Sequence, residues 1–167
     1  MPAITRGAAA WRTAPITLAA AVGLAACGPR PDLAQDRAEL LKLHEVQRTA
    51  HLERRADLLV ASFADTFYSI ASGKVDTPSQ AASETRFQAY FNRSTILVWD
   101  DRVPPVIRVS SDGQMAYIIV QKEVRVTEPD SDGVPRETHT TYAWLETYEK
   151  EQGVWRLHAI ASTDHPN

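Results

Sequence analysis

The chain has 167 residues, a formal charge of −3 at neutral pH and a single cysteine, and 44% of its residues are hydrophobic. That length suits about one domain with a real core, and one cysteine excludes a disulfide framework. A mildly acidic chain without a Lys/Arg cluster also argues against nucleic acid as a partner.

The first 26 residues carry Arg6 and Arg12 and no acidic residue, and an Ala-rich apolar stretch from Ile16 to Ala26 stops at Cys27. This is a signal-peptide layout, and the apolar run is shorter than the roughly 20 residues that span a bilayer. Leu24-Ala25-Ala26-Cys27 resembles the bacterial lipobox. The resemblance implies cleavage before Cys27 and acylation of its thiol and freed amine, making the membrane a partner, with about 0.8 kcal/mol for each buried methylene. Gly28 in place of aspartate implies, by resemblance to the known sorting rule, the outer membrane facing the periplasm if the cell has one. Residues 1–26 are therefore expected as signal peptide, 27–32 as lipidated cysteine and a tether stiffened by Pro29 and Pro31, and 33–167 as the folded domain. Loss of Arg6 and Arg12 would leave 141 residues with a formal charge of −5.

Asp32 with Gln35 has the look of an N-cap and its reciprocal partner. Leu40, Leu43, Val46 and Ala50, then Leu52, Ala56, Leu59 and Phe63, recur at helical spacing. The stripe drifts near Glu53-Arg54-Arg55, which predicts one bent helix or two in tandem. Phe67 to Ile70 reads as a strand ending at Gly73. Thr77-Pro78-Ser79-Gln80 signals a second helix, with Thr77 as cap and Phe87, Tyr90 and Phe91 on its inward face.

Strand grammar follows from Ile96 to Trp99, Val106 to Val109, Met115 to Thr127, Thr138 to Glu149 and Val154 to Thr163, with Asp112-Gly113 as a hairpin signal. Helices first and a meandering antiparallel sheet afterwards is an α+β layout. Alternation puts Ala116, Ile118, Val120, Val124 and Val126 on one face, dry apart from Lys122. For the last hairpin, a three-residue turn with a glycine bulge at Gly153 would pair Leu145 with Ala159 and Trp144 with Ile160. Trp155 and Leu157 would then share a face with Ala143 and Leu145, opposite Tyr142, Trp144 and Tyr148. Apolar residues on both faces of one sheet call for two covers, and a second copy of the sheet, a homodimer, is the expected second one.

Ala50 to Leu58, Phe63-Ala64-Asp65 closing the helix, Gly73, Ser111 to Ala116, and Tyr142-Ala143-Trp144-Leu145 through to Gly153-Val154-Trp155-Arg156-Leu157 together resemble the nuclear transport factor 2-like superfamily, including its SnoaL-like members. The resemblance implies a strongly curved sheet wrapped around the helices as a cone, a pocket at its open end and frequent dimerisation through the sheet. That fold hosts isomerases, cyclases and members without known chemistry, so the site must decide. In the ketosteroid isomerase branch the base is an aspartate on the strand after the second helix. Phe67 to Gly73 here holds no carboxylate, which argues against isomerase activity.

Other carboxylates are Asp100 and Asp101, which read as a solvated turn before Val103-Pro104-Pro105, and Glu123, which reads as a surface ion pair; Asp100 and Glu123 are the candidate bases if chemistry occurs. His44 and His51 share a helix face without a nearby third ligand, so no metal or other cofactor is expected. Tyr68, Phe87, Tyr90, Trp99 and Tyr117 are the candidate lining of the cone's mouth, suited to a small apolar ligand. The favoured expectation is a non-enzymatic, envelope-anchored domain binding a small apolar molecule or a partner protein. The alternatives are a SnoaL-like enzyme and a purely structural dimer.

Overall fold

A computed structural model of the chain describes residues 31–167, so the expected signal peptide, the lipobox and Cys27 lie outside the described residues. Helix α1 runs Leu33–Leu52 and is capped by Asp32, whose Oδ1 accepts from the amides of Ala34 and Gln35. The Gln35 side chain does not return to complete a capping box; it donates to Glu39 instead. Leu40, His44, Gln47, Ala50 and His51 form its buried stripe. Arg54 then takes a left-handed φ of 57°, breaking the helix where the stripe drifts, and α2 follows at Ala56–Val60.

Strand β1 spans Phe63–Ala71, so Phe63-Ala64-Asp65 open a strand and do not close a helix. Phe63 is held there by pairing with Leu157 and by burial in the core. A hairpin over Ser72-Gly73, both at positive φ, leads to β2 at Lys74–Asp76. Helix α3 spans Gln80–Arg93, and its cap is Ser79, not Thr77: Ser79 Oγ accepts from the Ala82 amide at 3.2 Å. The Gln80 side chain ties the helix to the Val60 carbonyl at 2.8 Å. Five strands complete the fold: β3 Thr95–Asp101, β4 Val106–Val109, β5 Met115–Pro129, β6 Pro135–Glu151 and β7 Val154–Pro166.

The seven strands form one curved sheet in the order β2-β1-β7-β6-β5-β3, with β4 also on β5, and every pair is antiparallel except β1 with β7. The helices occupy its concave side. Leu40, Phe63, Phe67, Ile118, Val120, Tyr148, Trp155 and Leu157 form the main core. Among the described residues no helix is long and apolar enough to cross a membrane.

The last hairpin departs from the expected register. Its turn is the two residues Gln152-Gly153, both at positive φ, and Tyr148 pairs with Leu157 while Thr147 pairs with Ala159. His158 is thus an extra residue, a bulge that reverses the side-chain alternation of β7. Leu145 consequently opposes Ala161 and Trp144 opposes Ser162. Trp155, Leu157 and Ile160 share the concave face with Tyr142, Trp144 and Tyr148, whereas Ala143, Leu145, Ala159 and Ala161 face outward.

At the N-terminal end of α1, Pro31 packs on the β4–β5 turn. A side chain at Gly113, where φ is 68°, would come within 2.7 Å of Pro31 Cβ and 3.2 Å of Asp36 Oδ2. Asp36 is buried and is held there by Lys150 and by the indole of Trp155.

Candidate functional site

The sheet's curvature leaves a cavity between α1, α3 and the concave strands. An inner chamber of about 200 Å³ is walled by Phe63, Phe67, Trp144, Leu157 and Ile160, with Gln47, Ser69, Glu146 and Ser162 as its polar members. An outer chamber of about 370 Å³ adds Tyr90, Val124, Val126, Glu128, Thr138 and Thr140. His51, Arg86, Phe87, Trp99 and Tyr142 line both, so the two are successive parts of one cleft.

His51 sits at the junction, stacked on Trp99 with ring centroids 3.6 Å apart and edge-on to Phe91. Its Nδ1 lies 2.7 Å from the Gln47 carbonyl, which can only accept, so Nδ1 carries the proton and Nε2 is left as an acceptor. Burial, with a further contribution from the Lys122 charge, lowers the His51 pKa to about 4, against the pull of that carbonyl. At neutral pH it is an uncharged ring.

The chamber floor holds a wholly buried carboxylate, Glu146. Oε1 accepts from the Trp144 indole and Oε2 from the Tyr148 hydroxyl, each at 2.8 Å, and Gln47 in turn donates to Tyr148 at 3.0 Å. Burial raises the Glu146 pKa above its usual range, opposed by the Tyr148 hydrogen bond, the nearby His44 and the Trp144 and Gln47 contacts. Beside the chamber, the buried Lys122 pairs with the partly buried Asp101 at 2.5 Å, with His44 on the second Asp101 oxygen at 2.8 Å. Burial pushes the Asp101 carboxyl up, but the bonds from Lys122 and His44 outweigh it and hold the group below the ordinary carboxylate range.

Of the five aromatic residues expected at the mouth, Phe87 and Trp99 line both chambers and Tyr90 the outer one, where burial lifts its pKa to about 12. Tyr68 and Tyr117 do not join them. Each is 41% exposed on the convex face, because Phe67 and Ser69, and Ala116 and Ile118, take the inward positions beside them. Neither candidate base faces the cavity. Asp100 is exposed and pairs with Arg48 at 2.6 Å, and Glu123 lies on the convex face near His139 at 3.2 Å. Asp100 and Asp101 end β3 and are not a solvated turn, and Asp101 is partly buried against Lys122. Among the described residues no three His, Cys, Asp or Glu side chains converge as a metal set.

Glu146, Gln47 and Tyr148 went unread as site residues. Glu146 had a signal, since it lies two residues from both Trp144 and Tyr148 and must share their face.

No family model matches the chain, and no curated protein matches it. Solved structures do. A nuclear transport factor 2-like protein of Cytophaga hutchinsonii superposes with a TM-score of 0.59 at 16% identity, covering 76% of this chain and 96% of that one. One of Rhodospirillum rubrum, described as of unknown function in nutrient uptake, gives 0.58 at 18% over 74% and 96%. A ketosteroid isomerase-like protein of Erwinia carotovora atroseptica gives 0.57 at 13% over 78% and 96%. The chain has the nuclear transport factor 2-like α+β cone, and at these identities the likeness defines fold alone.

Proposed function

We propose that the protein is an envelope-anchored lipoprotein, tied to the membrane at Cys27, whose cone binds a small, largely apolar molecule. The observation that carries the binding role is the two-part cleft, enclosed by aromatic and aliphatic side chains with a few fixed polar groups. Trp99 and Trp144 line the inner chamber side by side, their ring centroids 6.1 Å apart, so an occupant alters their surroundings directly. Isothermal titration of the soluble domain with a neutral bicyclic probe, 2-naphthalenemethanol, should show saturable binding that Phe67→Arg, which fills the inner chamber with charge, removes. Heats of dilution alone, with the domain folded by circular dichroism, would refute the binding role.

A homodimer through the convex face belongs to the same proposal. Val106, Ile119, Leu145, Ala161 and Ile70 oppose one another across five successive strands, supporting an apolar row that a second copy would cover. Proton transfer by Glu146 is the second reading, favoured by a buried carboxylate beside a tyrosine hydroxyl. It ranks behind binding because both carboxylate oxygens already accept hydrogen bonds within the chamber wall.

A further inference from the structure

We infer that the ligand of this cleft is an apolar acid, its ring or chain in the inner chamber and its anionic group at the mouth on Arg86. The inference rests on the cleft being a ligand site and specifies what enters it.

Arg86 lies on α3 and lines both chambers, with its guanidinium 5.1 Å from the Phe87 ring centroid. It forms no ion pair with any described residue. Of the acids near the mouth, Glu128 accepts from Ser94 Oγ at 2.5 Å and from Arg93 at 3.3 Å, and Asp164 stands opposite Tyr142 outside the lining of either chamber. Lys122 is spent on Asp101, away from the lining. His51 is uncharged at neutral pH, being held near pKa 4 by burial. Among the residues lining the two chambers Arg86 is therefore the one fixed cation, and its guanidinium is unpaired. An arginine fork is shaped for two parallel hydrogen bonds to a carboxylate.

The interior fixes the ligand's direction. The inner chamber is apolar and its floor is the Glu146 carboxyl, which would repel or fail to solvate a second acid. An amphiphilic acid can satisfy both ends only with its apolar part inward. A neutral molecule gains the same burial but nothing from Arg86.

The test compares 2-naphthoate with 2-naphthalenemethanol on the soluble domain by isothermal titration at pH 7.5 and low salt. The acid should bind about fivefold more tightly than the alcohol, the scale of one partly solvent-screened charged hydrogen bond. In Arg86→Gln that ratio should fall to about one. Equal affinities in the parent protein, or a ratio that survives in Arg86→Gln, would overturn the inference while leaving the cleft as a binding site. Absence of binding by both probes would overturn the binding role and the inference together.

Discussion

Two buried groups in the cleft titrate in opposite senses. His51 has its folded pKa near 4, below the 6.5 of an exposed imidazole, so the unfolded chain takes up a proton first as pH falls. Its neutral burial therefore contributes fully above pH 6.5 and loses about 3 kcal/mol by pH 4. Glu146 is shifted upward by burial, so the folded state takes the proton first and acidification relieves a penalty. In the parent protein the second effect offsets part of the first. Glu146→Gln removes the offset, and its melting temperature should fall more steeply than the parent's between pH 8 and pH 4. Parallel curves would show that Glu146 titrates normally. A variant that loses less on acidification than the parent would show a carboxylate stabilised as an anion, the state that proton abstraction requires.

The β6–β7 hairpin decides which side chains reach the cleft. Alternation alone identified β5, whose inward Ala116, Ile118, Val120, Val124 and Val126 are all buried, and even its odd member Lys122 lies inside against Asp101. It could not identify β7, because one bulge at His158 moves Ile160 to the concave face and Ala161 to the convex one. Nothing local marks that residue; the bulge is set by how β7 must bend to pair with both β6 and β1. Trp144 faces the cleft because it lies opposite the buried Val120 of β5, and the outward row is carried by its neighbours Ala143 and Leu145. Ile119, 48% exposed, stands between Val106 and Leu145 in the outward row. The soluble domain should sediment as a dimer and Ile119→Glu as a monomer. A monomeric parent, or a variant dimer of undiminished strength, would count against the convex face.

The presence of the helices and the strand order along the chain were legible because each rests on a regular period, but the buried face of α1 was not: Val46 and Leu52 are exposed, and the polar His44, Gln47 and His51 take the inward positions. The Glu146 network was not legible either, because it assembles from residues about a hundred positions apart, such as Gln47 and Tyr148. For the molecule as a whole the proposed envelope address rests on residues before the described domain. Cys27→Ser in the full chain should move the protein from the membrane fraction to the soluble one; continued retention would refute acylation as the anchor. The seat of Pro31 on Gly113 bears on what that anchor would do. Only the stretch from Cys27 to Pro31, at most about 14 Å of chain, separates the two. Helix α1 then carries the fold about 30 Å from that seat to His51 at the cleft. A lipid on Cys27 would moor the domain by its base with its opening turned outward, so that cargo arrives by diffusion through the aqueous compartment and does not slide in sideways from the leaflet beneath.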